Sequence, residues 1–259
     1  MLALVAFLGA VGATAYVPRL GPVGISALVF YGLRVSVVPF ASRACVAAFR
    51  SDAPMDRLLW LNTSVSLLHS IVSSCVSLAV LSYHGRAFFD ADWVLASPDG
   101  AMLPLAISTG YFLYDFYDLV AYKLWLKAPG ILAHHIMVGA CYASAIVYGV
   151  GQCYLVVMLL LELNSVFLHA RKLLSMAGYS MSNAIYAMAW QGVWVTFVAT
   201  RGVLPIAVHV AVFADRARFP HLVQYAMAFG GMAILHVLNY LVCQGCWKAY
   251  RKDVAAKSK

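Results

Sequence analysis

The chain has 259 residues, of which 63% are hydrophobic and only 11% charged, with a net charge of +8. Soluble domains are roughly 45–50% apolar and about 25% charged, so this composition excludes an ordinary water-soluble enzyme and a disordered chain, and leaves no stretch for a second, extramembrane domain. The positive balance is read as the excess of lysine and arginine on the cytosolic loops of a membrane protein rather than as a nucleic-acid surface.

Residues 1–17 are apolar, lack a basic start and contain Ala13-Thr14-Ala15. A cleaved signal peptide and a retained extra helix both fit them. Apolar runs then predict membrane spans at 22–49, 58–83, 101–122, 131–149, 152–172, 184–212 and 222–248. A crossing needs about 20 apolar residues, and these runs lack the period-two alternation of barrel strands, so they are helices. The expected fold is all-α, a polytopic membrane helix bundle. Segments around 50–57, 123–130, 171–183 and 248–259 hold eleven basic residues, whereas the alternate loops hold Arg19, Arg86, Arg216 and Arg218 among four aspartates. That asymmetry places the C-terminus, with a basic tail at 253–259, in the cytosol. Arg34, Arg43 and Arg201 remain inside spans. The sequon at Asn62-Thr63-Ser64 sits at a cytosolic mouth and is expected to be unused. The six cysteines form no disulfide framework, and the lone Cys243–Cys246 pair is incomplete as a zinc site, so no metal is expected.

Ionisable groups inside a membrane are costly and mark function unless paired structurally. Span 58–83 carries Asn62, Ser66, His69, Ser70, Ser73 and Ser77 at steps of three and four, hence on one face. The serines read as helix-to-helix glue. Span 101–122 carries Ser108, Tyr111, Asp115, Asp118 and Tyr122. Two acids one turn apart repel when both ionise, which calls for a shared proton or a cation. Span 131–149 opens with His134 and His135, which point about 100° apart and are free to take different tasks, one toward a cavity and one toward a support. Span 152–172 carries Glu162, Ser165 and His169, with Asn164 offset. His134 or His135 is the expected partner of Glu162. At 1.5 Å per residue, Asn62, His69, Asp115, Asp118, His134, His135 and His169 fall in the cytosolic half, and Glu162 near the midplane. His236 and Asn239 lie toward the cytosol on the last span, while Arg201 and His209 lie toward the opposite leaflet.

These stripes resemble the TLC domain, the family of ceramide synthases and TRAM proteins, over roughly 55–252. The pieces that carry the likeness are Trp60-Leu61-Asn62 with His69-Ser70, Gly110-Tyr111-Phe112 with Asp115 and Asp118, His134-His135, and Leu160-Leu161-Glu162-Leu163-Asn164-Ser165. The runs RLLWLNTSVSLLHSIVSS and LLLELNSVFLHARKLL are similar to the branch of TLC domain-containing proteins 1 and 2. The resemblance implies six helices around a lipid-sized cavity, preceded here by one or two N-terminal helices. It also implies a part in membrane fluidity, through limiting polyunsaturated chains in phospholipids, and placement in the plasma membrane, with the endoplasmic reticulum as the alternative. Ceramide synthases follow the histidine pair with an HDxxD-type motif. Here that place holds Leu161, Glu162 and Ser165, which argues against ceramide synthesis.

Two readings stand. In one the chain is an acyl-CoA-dependent lipid acyltransferase: His134 and His135 supply base or nucleophile, Glu162 orients them, and no cofactor is tightly bound. Asn62, His69, Asp115, Asp118, Ser165, His169 and His236 would then bind the substrate. In the other the same groups recognise a phospholipid without turning it over. A transporter is disfavoured, because no inverted repeat or broken helix pair is legible.

Overall fold

A computed structural model describes residues 2–43, 53–126 and 129–257. Eight main helices follow in order: α1 Leu2–Thr14, α2 Pro18–Arg43, α3 Pro54–His84, α4 Met102–Ala121, α5 Pro129–Tyr148, α6 Gln152–Met176, α7 Ala184–Ala214 and α8 Leu222–Lys257. The described residues contain no strand. Helices α3 to α8 form the six-helix bundle and α1 and α2 are the two N-terminal additions. The end of the predicted span 22–49 lies outside the described residues.

Local chemistry sets the boundaries. Pro18 and Pro54 stand in the first turns of α2 and α3, where a missing N–H costs nothing. Asn183 caps α7 by accepting from the N–H groups of Ile185 at 2.9 Å and Tyr186 at 3.4 Å. Between α5 and α6 the chain reverses through Gly149 (φ +72°) and Gly151 (φ +76°), a left-handed backbone that glycine adopts without strain.

Three helices are interrupted. A tight 3-10 turn at Leu159–Leu161 precedes Glu162 in α6. Wide π-helical turns occupy Leu33–Val37 in α2 and Phe197–Val203 in α7. Such turns shift the register of the rest of the helix and often mark functional places; here they carry Arg34 and Arg201, respectively.

Six of the helices are long and apolar enough to cross a membrane: α2, α3, α5, α6, α7 and α8. The predicted span at 101–122 forms as α4 but is not one of the six. At 20 residues it is about 30 Å long, sufficient for a bilayer core; apolarity is what it lacks. Thirteen of its residues are buried, so protein rather than lipid surrounds it, and its acids meet side chains.

Helix α2 lies directly on α4. A Cβ at Gly110 would come within 2.5 Å of both Ser26 Cβ and the Val23 carbonyl oxygen, so only glycine allows this approach. Ser26 Oγ donates to the Ile107 carbonyl at 2.9 Å across the same contact. Helix α1 adds Phe7, which is buried and stacks on Tyr117 with ring centroids 4.9 Å apart. At the other end of the chain Asp253 accepts from Tyr186 Oη at 2.5 Å and Trp190 Nε1 at 3.0 Å. Residues 253–257, expected as tail, continue α8, and Asp253 among them is held on α7.

The loops before α4 and after α7 are tied by charge. Asp92 accepts from the N–H groups of Val94 at 3.0 Å and Leu95 at 3.1 Å, and Arg218 bridges Asp92 at 2.8 Å to Asp215 at 3.3 Å. Burial, the largest single influence on Asp92, opposes its ionisation. The Leu95 and Val94 N–H groups and Arg218 together outweigh it and hold the carboxyl below its ordinary value. A group depressed in the folded state stabilises it above the unfolded pKa of about 4, and that contribution fades as pH falls through the lower folded value. The tie should hold at about pH 5 and loosen only below about pH 4. Limited proteolysis within 85–101 measures this. Asp92→Asn should be cut at the higher pH as fast as wild type at the lower, and equal wild-type rates at both pH values would refute the assignment.

Candidate functional site

The stripe on α3 packs inward as its spacing requires. Ser66, His69, Ser70, Ser73 and Ser77 are all buried. Ser66 Oγ accepts from Tyr111 Oη at 2.9 Å, and Ser73 and Ser108 hydroxyls meet at 2.9 Å. The His69 ring lies flat on Tyr111, centroids 3.8 Å apart, with Nε2 3.2 Å from Ser108 Oγ. These contacts knit α3 to α4.

A continuous polar chain runs across four helices beside this seam. Arg34 Nε on α2 donates to Asp118 Oδ1 on α4 at 3.1 Å. Asn62 Nδ2 on α3 donates to Asp118 Oδ2 at 3.0 Å and to Asp115 Oδ1 at 2.8 Å. Asp115 Oδ2 stands 2.8 Å from His135 Nδ1 on α5. The repulsion expected between the two acids is relieved by Arg34 on Asp118 and by the amide the two acids share; His135 Nδ1 stands beside Asp115 without completing a hydrogen bond. Asp118 is 0% and Asp115 2% exposed.

A second assembly surrounds Glu162. Its Oε2 accepts from Ser70 Oγ at 2.6 Å and lies 3.9 Å from His69 Nδ1. The expected pairing with His134 or His135 is not formed, because α6 packs its acidic face on α3 rather than α5. Arg201 corrects a further expectation. Its Nε donates to Asn164 Oδ1 at 2.8 Å, its Nη2 to Ser165 Oγ at 2.8 Å and its Nη1 to Asn239 Oδ1 at 3.1 Å. Asn239 Nδ2 returns a bond to the Arg201 carbonyl at 3.1 Å. One guanidinium thus ties α6, α7 and α8, where the sequence had placed it toward the opposite leaflet. Ser165 serves that hub. His236 does not join the site: it faces His209 across α7 and α8, ring nitrogens 3.1 Å apart.

Between α5, α6 and α8 lies a cavity of about 140 Å³. Its walls are mostly apolar, with Tyr142, Met158, Met232 and Leu235 among them. His134, Glu162 and Arg201 reach it from three helices, and Tyr154, Phe219 and Gln224 line it further along. Tyr154 and Glu162 are separated by roughly 12 Å along α6. Asn62, Asp115 and Asp118, expected to bind the substrate, do not line this cavity and are joined to one another instead. His169, half-buried two turns beyond Glu162 on α6, is not part of the wall either. The His134 Nδ1 is buried and has no hydrogen-bond partner among the described residues. The adjacent histidines thus diverge: His134 borders the cavity while His135 turns to Asp115. Apolar clefts with a few convergent polar groups are typical of small-molecule sites; this cavity sets His134, Glu162 and Arg201 against a mostly apolar wall. Among the described residues no group of three or more His, Cys, Asp or Glu is placed to hold a metal ion.

Arg34, Arg201 and Asn239 take larger parts than their sequence context indicated. The available signal was their cost: two arginines and an amide inside apolar spans.

Residues 59–248 match the family model described as TLC domain. TLC domain-containing protein 2 of Homo sapiens is 38% identical over 139 residues, covering 54% of this chain and 52% of the relative. The protein of the same name from Danio rerio is 30% identical over 177 residues, 68% of this chain and 67% of the relative. TLC domain-containing protein 1 of Gallus gallus is 28% identical over 169 residues, 65% of this chain and 64% of the relative. The aligned stretch spans about half the length of the human and mouse relatives.

Proposed function

The chain belongs to the TLC-domain family, and we propose that it holds a lipid acyl chain in the cavity between α5, α6 and α8 and thereby adjusts the acyl composition of membrane phospholipids, limiting polyunsaturated chains. The observation that carries this is the cavity itself: an apolar slot reached by His134, Glu162 and Arg201. Methylene groups gain about 0.8 kcal/mol each on leaving water, but a membrane lipid is already out of water. Selection there rests on the shape of the space and on the polar groups at its wall. The partners are phospholipids and fatty acyl chains, in a multi-pass protein with its basic C-terminal end in the cytosol and the plasma membrane as its site.

In the catalytic form of this reading, the His134 imidazole takes the proton from a lipid hydroxyl or amine as it attacks an acyl thioester, and coenzyme A leaves. In the binding form the same residues hold a headgroup without turnover. A specific observation favours the second: Glu162 is engaged by Ser70 and His69, and no acid among the described residues orients His134 as the third group of a triad does.

The test is a phospholipid profile by mass spectrometry, in cells lacking the protein and then given wild type or His134→Ala at matched expression. Wild type should lower the polyunsaturated share and His134→Ala should not. Identical profiles with either protein would remove His134 from the function. Purified wild type offered acyl-CoA then separates the two forms, since release of coenzyme A marks catalysis and copurified lipid without release marks binding.

A further inference from the structure

The TLC-domain match begins at residue 59, after α2 has ended. Yet α2 supplies Arg34, a fixed cation in contact with the buried acid Asp118. We infer that Arg34 is a positioning residue for His135: it neutralises Asp118, which leaves Asn62 shared between the two acids and keeps Asp115 seated beside the imidazole, Oδ2 2.8 Å from Nδ1. The inference rests on the reading that His134 is functional, because His135 is its neighbour on α5 and the seat of one fixes the turn that carries the other, and it adds to the matched domain a helix that lies outside it.

The geometry supports each link. Asn62 has a single Nδ2, and its two hydrogens go to different carboxylates at 3.0 and 2.8 Å. Without the guanidinium, Asp118 would be a buried carboxylate with no cation and with Asn62 as its remaining donor. Such a charge either takes a proton or draws in the nearest donor. The nearest donor is Asn62, and its loss from Asp115 would free that carboxylate to turn from His135.

The placement of Arg34 is built in at several levels. The π-helical turn at Leu33–Val37 carries it. Its guanidinium carbon lies 5.0 Å from the centroid of the Tyr122 ring. Helix α2 is fixed in register by the Gly110 approach, by Ser26 on Ile107, and by Trp60 Nε1 donating to Ser42 Oγ at 2.9 Å. Arg34 is 5% exposed and its Nη2 has no hydrogen-bond partner among the described residues, so its engagement with Asp118 through Nε is the main polar compensation for burying it.

The experiment compares wild type with Arg34→Gln, Arg34→Lys and Arg34→Gln/Asp118→Asn, all in full-length protein in lipid nanodiscs. Isotope-labelled histidine is observed by NMR, with the His135 ring signals identified by their loss in His135→Gln. In Arg34→Gln the His135 signals should move while those of the remote His209–His236 pair stay. In the double variant, which has neither charge, they should return toward wild type. In cells, Arg34→Gln should lose part of the lipid change that wild type produces. Arg34→Lys, which keeps the charge but not the planar Nε contact, should fall between. Unmoved His135 signals in folded Arg34→Gln would overturn the inference; if that variant does not fold, signals displaced from wild type in the charge-free double variant would do so. A double variant as displaced as Arg34→Gln would show that Arg34 does not act through Asp118. If wild type itself leaves cellular lipids unchanged, the functional reading falls while the NMR comparison still decides the role of Arg34.

Discussion

Arg201→Met should cost the protein about 3–5 kcal/mol, the range for breaking a buried charged network by removing one partner. Arg201 gives three hydrogen bonds to three different side chains on α6 and α8, each between 2.8 and 3.1 Å. Methionine fills a similar volume but donates nothing. Asn164 and Asn239, 0% and 5% exposed, would keep oxygens with no donor. Each orphaned acceptor costs about 1–3 kcal/mol. Glu162 would also lose the cation that shares its cavity. The measurement is thermal unfolding in detergent or nanodiscs. At roughly 2–4 °C per kcal/mol for a chain of this size, the melting temperature should drop by roughly 6–20 °C. Arg201→Lys reaches at most part of the fork-shaped set and should recover less than half of the loss. A methionine variant that melts with wild type would mean the hub contributes position but no stability.

Arg201 also shows where the sequence stopped being readable. Depth and face were estimated from 3.6 residues per turn and 1.5 Å per residue. The π-helical turn at Phe197–Val203 breaks both rules within the very segment that contains Arg201. Nothing in the run FVATRGV announces it. The stripe on α3 was legible because α3 runs unbroken from Pro54 to His84, so steps of three and four stay on one side. The helical membrane bundle was legible for the same reason, from long apolar runs, whereas the sequence left open whether one or two helices precede it. Partners were harder. Periodicity tells which residues share a face but not which helix that face meets. Glu162 and the histidine pair both point inward, yet α6 meets α3 and the acid goes to Ser70 and His69. His236 was placed among the substrate-binding groups by depth alone, and α8 turns it to His209 instead. The acid pair on α4 announced its need for a cation, but Arg34 comes from a helix 84 residues away in sequence. Each failure is one of interhelical geometry, which a single chain of letters encodes only through the packing of all its side chains together.

Gly231→Leu should abolish lipid retention while leaving the fold as stable as wild type or more so. Gly231 lines the cavity on α8, and a Cβ built there meets nothing closer than Cys141 Sγ at 3.8 Å, an ordinary contact. A leucine at this place therefore extends into the slot rather than into backbone. In a helix interior leucine is favoured over glycine by up to about 1 kcal/mol, so the melting temperature has no reason to fall. The polar groups at His134, Glu162 and Arg201 stay unaltered. Loss of function in this variant would therefore report on the space alone. The readouts are the amount of lipid that copurifies per mole of protein and the phospholipid profile of cells that carry the variant. Both should resemble those of the protein-free control, with unfolding unchanged. If Gly231→Leu retains lipid and restores the profile, the acyl chain is held elsewhere on the molecule. The polar trio would then have to act on a headgroup presented from outside the cavity.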